Sequence, residues 1–190
     1  MTTEGTNDML AVPVGERDHT RGSASAPVTL VQYGDYECPY TRRSQPIVRG
    51  LEQRLGERLR FVFRHFPLSR IHPHAEAAAE AAEAAEAQGR FWAMHDYLFA
   101  HQRALEEEDL AHYAADLGLD RDRFAADLAG HVHAPRVQND LVGGIRSGVQ
   151  GTPTFFINGA RHEGAYDLET LLAAIEAAGT DGTLDEGRTT

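Results

Sequence analysis

The segment Asp35-Tyr36-Glu37-Cys38-Pro39-Tyr40-Thr41 holds the only cysteine of this 190-residue chain. A cysteine does chemistry as its thiolate, which attacks disulfides or binds metal, whereas a neutral buried thiol behaves as a small hydrophobe. The flanking residues decide which applies. Upstream, Val28-Thr29-Leu30-Val31-Gln32-Tyr33 is an apolar, β-branched run of the kind found in buried strands. Downstream, from Tyr40 to Leu55, the residues Ile47, Leu51 and Leu55 recur at spacings of four and predict a helix. Cys38 therefore falls at a helix start, where unpaired backbone N–H groups and the helix dipole favour an anion. Thiolates so placed have pKa values lowered from ~8.5 to about 3.5–7 in strong cases. Pro39 suits the first helical position, where its missing N–H costs no bond. Asp35 and Glu37 oppose a thiolate, while Arg42 and Arg43 favour one. The Thr41 hydroxyl either donates to the sulfur or satisfies the helix backbone, and both readings stand.

Leu30-Val31-Gln32-Tyr33-Gly34-Asp35-Tyr36-Glu37-Cys38-Pro39-Tyr40 resembles the strand, Cys-Pro-x-Cys, helix site of the thioredoxin superfamily, and more closely its DsbA-like thiol-disulfide oxidoreductases. Gly151-Thr152-Pro153-Thr154-Phe155-Phe156-Ile157 resembles the cis-proline segment of that family. The likeness runs from about Val28 to Ala178. It implies an α/β thioredoxin-like fold with a mixed central sheet and an all-helical insertion. It also implies catalytic roles for Cys38, Pro39, Tyr40 and Thr41, and a substrate-binding loop at Thr152 and a cis Pro153. There the Thr152 backbone would pair with an extended substrate, or with the peptide part of glutathione, in β-strand fashion.

Two departures bear on mechanism. Thr41 stands where the family has its second cysteine, so a dithiol cycle is ruled out. Gln32 stands where many relatives carry a buried acid that serves that second thiol, and an acid without that use would be a costly buried charge. The resemblance then implies a monothiol enzyme that forms mixed disulfides through Cys38, with protein thiols and disulfides or glutathione as co-substrate and no bound cofactor. Two alternatives stand beside it: a redox-inactive binding module of the same fold, and a glutathione transferase or isomerase-like protein.

The whole chain sets further bounds. A formal charge of -11 and a pI near 5.3 argue against nucleic acid or an anionic membrane as partner. No apolar run approaches the ~20 residues of a membrane span. The first residues show neither a basic nor an apolar region, and one cysteine suits a reducing compartment, so a cytoplasmic location is expected. The sequence sets no oligomeric state.

In order, residues 1–25 read as an N-terminal segment with a short edge strand at Leu10-Ala11-Val12-Pro13-Val14 and a loop from Gly15 to Pro27. Residues 26–67 and 150–178 form the thioredoxin-like core, 68–149 the helical insertion, and 179–190 a polar tail. A second strand is expected from Leu59 to Phe66, in a right-handed parallel crossover with the first. From Pro73 an alanine-rich helix carries Glu76, Glu80, Glu83 and Glu86 as a solvated acidic stripe. Phe91 to Phe99 is a buried helix, with Trp92 or Tyr97 as minority candidates for a groove wall. Helices follow at Glu107–Leu117, Arg121–Leu128 and His133–Ser147, with Asp120 as an N-cap. Asn158-Gly159 signals a hairpin between Thr154–Ile157 and Ala160–Glu163, and Asp167 caps a last helix. The ten histidines match no zinc spacing and are read as surface or packing residues, with no metal site.

Overall fold

The computed structural model describes residues 8–181, which divide into two compact units. One holds the chain up to Tyr33, Arg43–Arg64 and the chain from Gly143; the other holds Gly34–Arg42 and His65–Val142.

The first unit is built on a five-stranded sheet in the order β1-β3-β2-β4-β5. Its strands are β1 (His19–Arg21), β2 (Val28–Gly34), β3 (Leu59–His65), β4 (Thr154–Ile157) and β5 (Ala160–Arg161). β2 and β3 are neighbours joined through helix α1 (Pro39–Leu55) and a 3-10 turn at Gly56–Arg58. The apolar runs expected as strands are strands, and Leu30, Val31, Phe61, Val62 and Phe156 are at most 1% exposed. β2 pairs antiparallel with β4, placing Leu30 opposite Ile157 and Tyr33 opposite Thr154. Asn158 (φ 48) and Gly159 (φ 85) both take the positive φ of a two-residue hairpin turn, and Ile157 faces Ala160 across it. Inside α1, Pro46 has no N–H for the carbonyl of Arg42.

Three local expectations change. Leu10–Val14 is not a strand: the carbonyls of Val12 and Pro13 accept from the Arg64 guanidinium at 2.8 and 3.0 Å, so a side chain takes bonds that a ladder would have made. The edge strand is instead β1, inside the segment read as loop, pairing antiparallel with β3 from His19↔Phe63 to Arg21↔Phe61. The last helix α7 (Leu168–Asp181) starts after its Asp167 cap, which accepts from Thr170 N at 3.0 Å, and runs through Gly179.

The second unit is mainly helical, with α2 (Ala75–Glu86), α3 (Phe91–Ala100), α4 (Glu107–Asp116), α5 (Arg121–Ala129) and most of α6 (Ala134–Arg146). α2 packs against α3, α4 and α5, and its alanines allow that close approach: Ala78, Ala81, Ala82, Ala84 and Ala85 are fully buried. The acidic stripe expected on α2 is only partly solvated, because Glu80 and Glu83 are 3% and 5% exposed. Each is held by partners from distant segments. Glu80 pairs with His131 at 3.1 Å, and Glu83 with His65 at 2.7 Å and more loosely with Arg136 at 3.9 Å. Arg136 also pairs with Asp140, whose other oxygen accepts from His65 N at 3.0 Å. α3 is buried through Phe91, Met94, Leu98 and Phe99 as expected.

Candidate functional site around Cys38

Cys38 is the N-cap of α1: its carbonyl accepts from Arg42 N at 3.1 Å, which closes the first helical turn. Asp35 organises the turn before it. Its Oδ1 accepts from Glu37 N at 2.7 Å and Cys38 N at 3.2 Å, while its own N–H donates to Thr41 Oγ1 at 3.4 Å. Its Oδ2 accepts from Leu68 N and from the His72 ring, both at 2.8 Å. With four such bonds to its oxygens, a carboxylate can sit at 1% exposure. Thr41, fully buried, thus serves the backbone of the turn through its oxygen.

The second acid before the thiol is tied in the same manner. Glu37 accepts from His74 N at 2.7 Å and from His74 Nδ1 at 3.0 Å. This carboxylate raises the His74 pKa above the usual imidazole range, and burial only partly offsets it. His72 and His74 therefore form a two-rung ladder onto Asp35 and Glu37, the two acids that flank the cysteine turn. Tyr36, between them, is 1% exposed, with its OH 3.1 Å from His95 Nδ1 and its ring 4.9 Å from that of Phe99.

Gln102 closes the turn from another segment, its Nε2 donating to Tyr36 O and to Cys38 O, both at 2.8 Å. Under these ties Cys38 is 3% exposed, so the residue is shielded in the resting fold instead of openly presented. Pro39 and Tyr40 beside it are exposed, Tyr40 at 55%.

Of the residues selected from sequence, Cys38, Pro39, Tyr40 and Thr41 stand together in the second unit, and Thr152 and Pro153 belong to the first. The Thr152–Pro153 peptide bond is cis. Pro153 lines a cleft of about 290 Å³ with Thr154, Phe155, Arg161, His162 and Tyr166 among its walls. Gln32 is fully buried and its amide is engaged at both ends, donating to Ser44 Oγ at 2.6 Å and accepting from Gln45 Nε2 at 3.4 Å. A neutral amide thus fills a place in the core without a charge to desolvate.

His72, His74 and Gln102 were not singled out for the site from sequence. The histidine pair leaves one trace there, the matched two-residue spacing of Asp35-x-Glu37 and His72-x-His74; Gln102 leaves none.

Comparison with known proteins places this geometry. The model of the family described as Thioredoxin matches residues 15–177. Among curated relatives, a protein named Na(+)/H(+) antiporter NhaA 1 from Salinispora arenicola is 50% identical over 176 residues, which is 93% of this chain and 27% of that protein. The chain thus spans about a quarter of the length of the curated relatives it matches. Among solved structures, BdbD from Bacillus subtilis in its oxidised form is similar with a TM-score of 0.80 and 23% identity, over 92% of this chain and 100% of that one. Alpha-DsbA1 from Wolbachia pipientis gives 0.77 at 20% identity, over 95% and 98%. A thioredoxin-like oxidoreductase from Silicibacter pomeroyi gives 0.75 at 28% identity, over 87% and 94%. The chain belongs to the thioredoxin family and has the fold of its DsbA-like thiol-disulfide oxidoreductases.

Proposed function

We propose that the chain is a thiol-disulfide oxidoreductase that works through one cysteine. The observation that carries this reading is the placement of the chain's single thiol as N-cap of α1, with Thr41 three residues later where a resolving thiol would stand. The Cys38 thiolate attacks one sulfur of a disulfide, forming a mixed disulfide and releasing the other sulfur as a thiolate. An external thiolate then attacks the mixed disulfide, takes the bound half as a new disulfide and returns the Cys38 thiolate. Electrons balance without a second cysteine. Thr152 and Pro153 would hold an extended substrate by backbone pairing. Glutathione or a protein thiol supplies the external thiol, and a reducing cytoplasmic pool fits a chain with one cysteine.

The test is intact-mass spectrometry of native protein and of protein incubated with oxidised glutathione, with exchange kinetics followed in parallel. A single adduct on Cys38, ping-pong kinetics and complete loss of exchange in Cys38→Ser are expected. Exchange that persists in Cys38→Ser would overturn the reading.

A second reading is favoured by the 3% exposure of Cys38 and by relatives named as antiporters, of which the chain spans 27%. It makes the chain a redox-inactive binding module acting beside such a partner. Under it, Cys38→Ser leaves partner binding and cellular phenotype intact, and a lost phenotype rejects it.

A further inference from the structure

Arg42, Ala100, His101, Gln102, Arg103 and Ala104 line an open cleft of about 460 Å³. Two bonds tie its lining to the backbone of the cysteine turn. Gln102 Nε2 donates to the Cys38 carbonyl at 2.8 Å, and Arg42 N donates to the same carbonyl at 3.1 Å. Arg42 lies four residues beyond Cys38, and its backbone N–H closes the first turn of α1 on the Cys38 carbonyl, which puts the cleft next to the cysteine turn.

The lining is cationic, with two guanidinium groups and no carboxylate. Among the described residues neither Arg42 nor Arg103 makes a side-chain hydrogen bond or ion pair, whereas Arg21, Arg54, Arg64 and Arg136 are each engaged by carboxylates. Acidic residues are not scarce: the chain has 29 of them against 18 lysines and arginines. Other exposed arginines, Arg58 and Arg70 among them, are also unpaired among the described residues; what distinguishes Arg42 and Arg103 is that they share one cleft. One wall is fixed, because the His101 ring stacks on Tyr97 at 4.4 Å and its Nδ1–H donates to Tyr97 O at 2.9 Å.

We propose that this cleft is an anion subsite for the thiol partner of Cys38, in which Arg42 and Arg103 take a carboxylate of a small carboxylate-bearing disulfide. The assignment rests on the single-cysteine exchange proposed above and names the substrate class for it. The step is X–S–S–X plus the Cys38 thiolate giving Cys38–S–S–X and free X–S⁻, with the carboxylate of the retained X held by the guanidinium groups. Glutathione, with two carboxylates, belongs to this class. The overall charge of -11 repels such substrates at long range. A preference for anions must then come from a local site, and at physiological salt the screening length of about 8 Å leaves a contact pair largely intact.

Three small disulfides with comparable chain length separate the possibilities: dithiodipropionate (anionic), 2-hydroxyethyl disulfide (neutral) and cystamine (cationic). The rate of mixed-disulfide formation on Cys38 is read by intact mass for each. The anionic disulfide is expected to react about tenfold faster than the neutral one, as one charge-assisted contact allows. In R42Q/R103Q that ratio falls to about one, and in R42K/R103K most of it remains, because charge without a planar fork is kept. A wild-type ratio at or below one, or a ratio unchanged in R42Q/R103Q, overturns the subsite and leaves the exchange reading standing. If none of the three forms an adduct, while Cys38 is modified in unfolded protein, both fall.

Discussion

At residue scale, the His74–Glu37 contact beside the cysteine turn makes part of the fold's stability depend on pH. His74 shares its proton with Glu37, which raises the His74 pKa in the folded chain above the ~6.5 of a free imidazole. A raised histidine pKa stabilises the fold fully below about 6.5, and that contribution is lost as pH climbs through the folded value. The pair is partly exposed, with side chains at 35% and 20%, so solvent screening keeps the gain small. In a ring-proton NMR titration the His74 midpoint is expected above 6.5, and in Glu37→Gln it should return towards that value. An unchanged midpoint would show that Glu37 does not hold the ring charge. Cys38 and Thr41 were legible from sequence because a strand, a cysteine-proline pair and a helix period are all local signals. The histidine ladder was not, since its partners lie 37 residues apart and two histidines around a proline look alike in a loop or a site.

Among the elements, α2 shows where pattern reading fails. An alanine helix with regularly spaced glutamates predicts the same stripe whether that stripe meets water or a hydrogen-bonding side chain, and the partners here, His65 and His131, come from outside the helix. The burial of Glu83 gives a test. Glu83→Ala removes the acceptor of the 2.7 Å bond from His65, and loss of a buried, bonded charge typically costs about 3–5 kcal/mol. Glu86→Ala, on the exposed side of the same helix, should stay within about 0.5 kcal/mol. Denaturant titration of the two variants compares them directly, and equal midpoints would restore the solvated stripe. β1 is a second failure of the same kind: His-Thr-Arg has no strand signature of its own and is a strand through its pairing with Phe61–Phe63. The hairpin at Asn158-Gly159 succeeds because both positive φ values are demanded by the turn itself.

For the whole molecule, the family was legible from two short motifs, while the grouping of the cysteine turn, Gly34–Arg42, with His65–Val142 was not. Each unit is assembled from segments far apart in the chain, and such long-range pairings leave no local mark. Among the described residues no helix is long and apolar enough to cross a membrane, although curated relatives carry the name of an antiporter. The order of the sheet has a consequence for synthesis. β2 leaves the ribosome early, but β4, which pairs with it from Leu30↔Ile157 to Tyr33↔Thr154, is made more than a hundred residues later. Until then one side of an apolar strand offers unbonded amides to any neighbouring nascent chain, and such edges nucleate self-association. A chain stopped at Gly151 should accumulate as insoluble material, whereas one stopped after Asp181 stays in the soluble fraction. Sedimentation of the two expressed forms would show whether the growing polypeptide needs a holding chaperone for most of its translation.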